Sequence, residues 1–432
     1  MRHHEDPLDY LFSLEHFGIK FGLGNIRTLL GALGNPHTAF PSVHIAGTNG
    51  KGSVTAMVER ALRLHARTGR YTSPHLVSLT ERFAIDGVPV PIDALRDVVA
   101  HLRDVITDLQ QRGELDVHPT FFEVTTAAAF ELFRRANIGI GIFEVGLGGR
   151  LDATNVLTPA VTAITTIARD HERYLGDSLE SIAREKAGII KPDVPVVVGN
   201  LPPAALSAIQ EIAAARNAPL IVAHEGATIS GIATRDERVD FNLCTPRRNY
   251  GRLSLSLGGA HQVENAVVAV RVLEALEASG WPLDADAVRA AFADVYWPGR
   301  LQRIRRSDGR EALLDAAHNP EGAIALAAHL AATGRRHPIV FAAMHDKDAA
   351  AIVRALAPVT SLFIVTRASN PRSHTPEALA ALVGQEAPAL TVLTMPSAVE
   401  ALDCAWQHDT SIVVAGSIFL LGDVIASLGR AW

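Results

Sequence analysis

The sequence is poor in sulfur and in lysine. Its two cysteines, Cys244 and Cys404, lie far apart with no C-x-x-C spacing. That argues against a disulfide framework or a thiolate metal site and fits a reducing, cytoplasmic setting. Only five lysines (Lys20, Lys51, Lys186, Lys191 and Lys347) stand among the 40 Lys and Arg residues. Arginine supplies most of the positive charge, so a lysine that remains points to an ammonium that can lose its proton. A net charge of -6 argues against nucleic acid as a partner. No apolar run is long enough for a membrane span: the most apolar stretch, 412–428, is broken by Gly416, Ser417 and Asp423. The opening MRHHEDPLDYLF lacks an apolar core behind a basic start, so no secretory signal is expected, and His3 and His4 read as solvated tail residues. With 432 residues, 48% apolar and 20% charged, the chain reads as a globular protein of two or three domains, expected to act as a monomer.

Against these absences stands the stretch His44-Ile45-Ala46-Gly47-Thr48-Asn49-Gly50-Lys51-Gly52-Ser53-Val54. A short apolar strand, 43–46, runs into glycines and an Asn that allow a tight loop with backbone N–H groups turned toward an anion. Lys51 can lay a point charge along a phosphate chain, and Ser53 can reach a divalent cation. Apolar spacing over 53–67 predicts a helix whose positive end faces the loop. The spacing G-x-x-G-K-G-S differs from the strict G-x-x-x-x-G-K-[ST] by setting the hydroxyl one residue later.

Alternating strand and helix patterns predict an α/β fold: a P-loop-containing doubly wound parallel sheet domain over 1–296, a hinge at 297–300 and a smaller Rossmann-like α/β domain over 301–432. A small antiparallel sheet is expected at about 226–257. In the first domain, Ser73, Glu144 and His171 each follow a predicted strand, as the phosphate loop does. Ligands of such sheets gather beyond the carboxyl ends of the strands, so all four belong on one edge. Hydroxyl, carboxylate and imidazole there, with phosphate oxygens and water, suit six-coordinate Mg²⁺ or Mn²⁺. Lys186 is flanked by Ile182, Ala183, Ala187, Ile189 and Ile190, which implies a partly desolvated amine.

The loop Thr48-Asn49-Gly50-Lys51-Gly52-Ser53, the T-S-P-H-L of 72–76, the E-V-G-L-G-G-R-L-D-A-T-N of 144–155, the Lys186-Ala187-Gly188-Ile189 run, D-A-A-H-N-P at 315–320, D-K-D at 346–348 and Gly416-Ser417 together resemble the Mur ligase superfamily, in its folylpolyglutamate synthase and dihydrofolate synthase branch. The resemblance implies ATP bound by Gly47, Thr48, Asn49, Gly50, Lys51, Gly52 and Ser53, with Asn265 near the adenine and Arg300 and Asp315 as further contacts. It implies metal ligation by Ser73, Glu144, His171 and a carbamylated Lys186. His318 falls beside the acyl phosphate and incoming L-glutamate, with Ser417 on the amino-acid side; Lys51, Lys186 and His318 take the catalytic roles. The implied partners are ATP, L-glutamate and folate or dihydropteroate.

A carboxylate does not condense with an amine at neutral pH, so ATP would first convert it to an acyl phosphate, and closure about the hinge would keep water from that intermediate. Two other readings share parts of this machinery: another Mur-type amide ligase, and a P-loop NTPase switch in which D-A-A-H-N-P has no task. Lys186→Ala is expected to abolish ligation and to recover part of it when a short carboxylate is added. Wild-type turnover by the variant, measured as glutamate-dependent ADP release, would remove the carbamate.

Overall fold

Runs of β-branched and aromatic residues with few polar interruptions make strands that can be buried on both faces. The computed structural model describes residues 6–18, 20, 22–235 and 237–429, so His3 and His4 lie outside the described residues. In chain order the strands are β1 (Ser42–Ala46), β2 (Thr68–Tyr71), β3 (Phe83–Ile85), β4 (Val88–Pro89), β5 (Ile140–Glu144), β6 (Val161–Ile164), β7 (Val196–Val198), β8 (Leu220–Val222), β9 (Thr228–Arg235), β10 (Arg238–Cys244), β11 (Asn249–Leu255), β12 (Gln302–Arg305), β13 (Glu311–Leu314), β14 (His337–Phe341), β15 (Thr360–Val365), β16 (Thr391–Thr394) and β17 (Ser411–Ala415). They form an eight-stranded sheet in the order β4-β3-β2-β5-β1-β6-β7-β8, a three-stranded sheet β11-β10-β9, and a six-stranded sheet β12-β13-β17-β14-β15-β16.

From β2 to β8 the first sheet is parallel. β3 and β4 extend it antiparallel. The chain leaves β1 for strands on one side and later returns for β6 on the other, so the crevice where strand order reverses opens at the end of β1, where the glycine loop begins. The six-stranded sheet is parallel except for its edge strand β12. Packing divides the chain into two compact units, Met1–Thr228 with Leu243–Tyr250 and Glu264–Phe292, and Ile229–Asn242 with Gly251–Val263 and Ala293–Trp432. No helix among the described residues is long and apolar enough to cross a membrane.

Among the elements that escape the sequence pattern are the β3–β4 hairpin, the helices Glu172–Leu175 and Ala285–Ala293, and β12. β3 and β4 are too short for a period to show. β12 is arginine-rich with only Ile304 buried, the polar habit of an edge strand. The helix expected from residue 53 starts at Lys51, because Gly50 closes the loop in the left-handed region at φ 83°. The helix that carries Lys186 spans Leu179–Ala187, which leaves Lys191 beyond its end.

Aromatic packing fixes β5. Phe143 stacks on Phe40 with ring centroids 6.2 Å apart and lies 5.0 Å from Phe130. Burying each such ring is worth about 2–3 kcal/mol, and the strand so anchored carries Glu144 at its end. The segment after β5 then crosses the helix Leu179–Ala187 at backbone distance: a Cβ on Gly149 would lie 2.7 Å from the Lys186 carbonyl oxygen and 2.9 Å from that of Glu185. Arg150 N–H donates to the Glu185 carbonyl at 2.8 Å.

His44, wholly buried in β1, shares a hydrogen bond of 2.8 Å with Thr154 Oγ1. Thr154 Oγ1 in turn donates to Asp152, so His44 Nε2 carries the proton. Burial, with help from the charge of Lys191, lowers the His44 pKa to about 3.

Gly149→Ala should destabilise the fold by about 1–3 kcal/mol, as forced overpacking does. Gly384→Ala, in the last turn of the helix Pro376–Glu386 with nothing within 4 Å of its Cβ, should stabilise by about 0.4–1 kcal/mol; guanidinium unfolding midpoints of the two variants check the pair. Because folded His44 refuses a proton that the unfolded chain takes up below pH ~6.5, its contribution is present above that pH and declines as pH falls toward the folded value. Between pH 6 and pH 4 the loss from this group is about 1.4 kcal/mol per pH unit. His44→Gln should flatten the pH dependence of the midpoint by that slope; an unchanged slope would contradict the assignment.

Candidate active site

The glycine loop is shaped by its contacts with the end of β6. Gly47 has φ +147°, and a Cβ there would lie 1.9 Å from Thr165 Oγ1, so the threonine occupies the space a side chain would need. Thr165 Oγ1 donates to the Asn49 carbonyl at 2.5 Å, and Asn49 N–H donates to Thr166 Oγ1 at 3.0 Å. Thr48 N–H donates to the Thr166 carbonyl at 2.8 Å, and Ala168 N–H to Thr48 Oγ1 at 3.0 Å. The sequence pattern does not single out Thr165 and Thr166; a Thr-Thr pair at the end of a buried strand was the available signal.

Two lysines converge on one backbone oxygen. Lys51 Nζ donates to the carbonyls of Gly47 and Thr48, both at 3.1 Å, and Lys186 Nζ donates to the Gly47 carbonyl at 2.9 Å. Lys186 is buried, as its apolar flanks imply. Asn265 reaches the same loop, with its Oδ1 2.2 Å from where a Gly50 Cβ would stand. The structure thus sets Asn265 against the phosphate loop. Gly52 and Ser53 follow in the first turn of the helix Lys51–Leu62, and Ser53 Oγ is buried without a hydrogen-bond partner among the described residues.

Ser73 and Glu144 come together at the ends of β2 and β5, with Ser73 N–H donating to Glu144 Oε2 at 3.3 Å. Glu144 is buried and pairs in register with Ile45 of β1, one residue before the strand's end. Arg70 and Arg82 bear on Glu144 only weakly. His171 lies three residues beyond Ala168, at φ 52°, with its ring Nε2 3.9 Å from Asp170 Oδ1. Among the described residues no group of three or more His, Cys, Asp or Glu side chains is gathered for a metal. Any ion here would therefore depend on hydroxyl and substrate oxygens as well. Asp152, also unmarked by the sequence reading, braces the loop after β5 by accepting from the N–H groups of Gly146 and Leu147 at 3.0 and 2.9 Å. Burial pushes its carboxyl above the usual carboxylate range.

In the second unit, Arg300, Asp315, His318 and Ser417 share the carboxyl edge of the six-stranded sheet. Asp315 Oδ2 accepts from Leu301 N–H at 2.9 Å and Oδ1 from Ala317 N–H at 3.0 Å, so both oxygens hold backbone. Burial raises its pKa, opposed by the charge of Arg300. His318 Nδ1 bonds the Ala316 carbonyl at 2.8 Å, which requires the proton on Nδ1 and leaves Nε2 the basic atom of the neutral ring. Gly416 N–H donates to the Ala317 carbonyl at 3.0 Å, tying the Ser417 turn to the His318 loop. Ser417 is buried and caps the helix Ile418–Ser427 through Phe419 N–H at 3.2 Å.

Residues 45–273 match the Mur ligase middle domain, and residues 299–418 match the Mur ligase, glutamate ligase domain. The dihydrofolate synthase/folylpolyglutamate synthase of Mycobacterium tuberculosis is 36% identical, with 98% of this chain and 95% of that protein aligned. The protein of the same name from Bacillus subtilis is 34% identical over 80% of each chain. A crystal structure of the Mycobacterium tuberculosis folylpolyglutamate synthase complexed with ADP and AMPPCP superposes with a TM-score of 0.91 at 36% identity, covering 99% of this chain and 100% of that one. An Escherichia coli homologue in complex with DHPP and ADP gives a TM-score of 0.85 at 31% identity, covering 99% of this chain and 98% of that one. The chain belongs to the Mur ligase family, in the branch of the folylpolyglutamate and dihydrofolate synthases.

Proposed function

We propose that this ligase uses ATP to add L-glutamate both to dihydropteroate and to the γ-carboxylate of tetrahydrofolate. The observation that carries the reading is the glycine loop on which Lys51 and a buried Lys186 meet at the Gly47 carbonyl. Both acceptors are proposed because the relatives from Mycobacterium tuberculosis, Bacillus subtilis and Escherichia coli are named for both activities. A cytoplasmic location is in keeping with two cysteines that are both free.

The loop N–H groups and Lys51 would hold the phosphate chain; to do so, Lys51 exchanges its bonds to Gly47 and Thr48 for phosphate oxygens. Attack of the substrate carboxylate on the γ-phosphoryl group gives an acyl phosphate and ADP, helped chiefly by positioning and by neutralising charge. For the metal we assign Ser73, Glu144, His171 and the carbamate of Lys186, a hard-to-borderline donor set suited to Mg²⁺ or Mn²⁺. The unpartnered Ser53 Oγ supports an ion or phosphate oxygen close by. When bound, the metal would neutralise phosphate charge. Carbamylation of Lys186 joins its neutral amine to CO₂ with loss of a proton; the product keeps one N–H for the Gly47 carbonyl and adds anionic oxygens that an ammonium lacks. We assign Asn265, Arg300 and Asp315 to the nucleotide, Asp315 acting by holding Leu301 in place beside Arg300. The incoming glutamate is assigned to the His318 and Ser417 loops, where His318 Nε2 takes a proton from the ammonium so that the free amine attacks.

Side-by-side turnover tests this reading. ADP release should require glutamate and proceed at comparable rates with dihydropteroate and tetrahydrofolate. ATPase activity indifferent to pterin and glutamate would refute the ligase, and activity with one acceptor alone would remove the dual specificity.

A further inference from the structure

Arg82 is a buried cation whose charge no protein carboxylate takes up directly. The residue is only 8% exposed. Its Nε donates to His75 Nδ1 at 3.0 Å, and its guanidinium carbon lies 5.2 Å from the centroid of the Phe121 ring. Among the described residues no Asp or Glu forms an ion pair with it, whereas buried Arg70 has Glu59 at 3.6 Å. Glu15 and Glu144 bear on it from farther away. A buried charge is costly unless it is paired, so one without a carboxylate partner at the start of the antiparallel strand β3, level with the carboxyl end of β2, calls for a ligand.

Its placement says which ligand. Arg82 immediately precedes β3, and its carbonyl accepts from Thr72 N–H at 3.1 Å, beside Ser73 and hence beside Glu144. The guanidinium therefore belongs to the same carboxyl edge as the phosphate loop. Three features fix the fork without cancelling its charge: the Tyr71 hydroxyl, to which the guanidinium also bonds, the neutral acceptor on His75, and the face of Phe121, itself stacked on Phe12 at 6.1 Å. A planar guanidinium held this way matches a carboxylate in two-point geometry.

We propose that Arg82 binds the substrate carboxylate that is to be activated, the carboxylate of dihydropteroate or the terminal one of a folate, and turns it toward the phosphate loop, with His75 as the positioning residue behind it. The inference rests on the ligase reading and adds the group that recognises the acceptor. A free carboxylate entering the edge would complete the missing ion pair, and a neutral analogue of the same shape would leave it incomplete.

Binding of dihydropteroate and of its primary carboxamide to the full-length protein, with AMPPCP present, tests it by calorimetry. Wild type should prefer the carboxylate by about 10- to 100-fold, the worth of a hydrogen bond to a charged group. Arg82→Met should bind both compounds alike, at the wild-type affinity for the carboxamide. Because the ratio is taken within one protein, partial unfolding cannot imitate this result. Arg82→Lys, which keeps the charge and loses the fork, should retain a reduced preference, and it carries the test if the methionine variant does not fold. A wild-type ratio in either variant, or equal weakening of both compounds with the ratio kept, would overturn the proposal. Wild-type protein that releases ADP with glutamate and dihydropteroate but shows no carboxylate preference would sink this inference alone; absence of that turnover would sink the ligase reading beneath it.

Discussion

One backbone oxygen, the carbonyl of Gly47, is the reference point for the first unit's active edge. It accepts from Lys51 four residues on and from Lys186, 139 positions away. Two lysine Nζ atoms on one carbonyl bring distant chain segments into register with the loop. The same residue can carry no side chain, because Thr165 fills the space. The loop, the helix bearing Lys186 and the end of β6 are thus located by one another, and a shift in any of them breaks hydrogen bonds in the other two. This mutual dependence gives an anion cradle its shape before a ligand arrives, which is what electrostatic preorganisation requires.

Much of this was legible from local pattern. The β1-loop-helix unit could be read because strand, glycines, lysine and helix are contiguous, and Lys186 because an ammonium among arginines with apolar neighbours on both sides implies burial. The parallel order of strands placed Ser73 and Glu144 on one edge, and there they touch. What could not be read depends on non-local closure. Thr165 and Thr166 look like ordinary strand residues until the loop is laid over them. Asp152 needs the turn at Gly146 to show its purpose, and the isolation of Arg82 is visible only once every nearby carboxylate has been located. Asp315 shows the opposite case: a motif marks it as a ligand contact, yet both of its oxygens are engaged by backbone N–H groups. A family pattern records that a residue matters without separating a touching role from a supporting one.

Charge is buried here in compensated sets. Glu59 accepts from Thr68 Oγ1 at 2.7 Å and pairs with Arg70. Asp152 is surrounded by backbone N–H donors, and His44 stays neutral beside them. The two carboxylates thereby gain partners whose absence would cost several kcal/mol in an apolar interior. Set among them, a guanidinium without a carboxylate partner is an exception to the rule its neighbours follow.

The crossing at Gly149 bears on how such an enzyme can change over time. Lys186 inherits its position from contacts between main chains, which are blind to the identity of surrounding side chains. Substitutions around it can accumulate without moving the amine, whereas any residue larger than glycine at the crossing displaces it at once. Retuning toward a new acceptor is therefore channelled away from this helix and into the loops beyond the strands, and the phosphate-handling chemistry persists while substrate preference diverges.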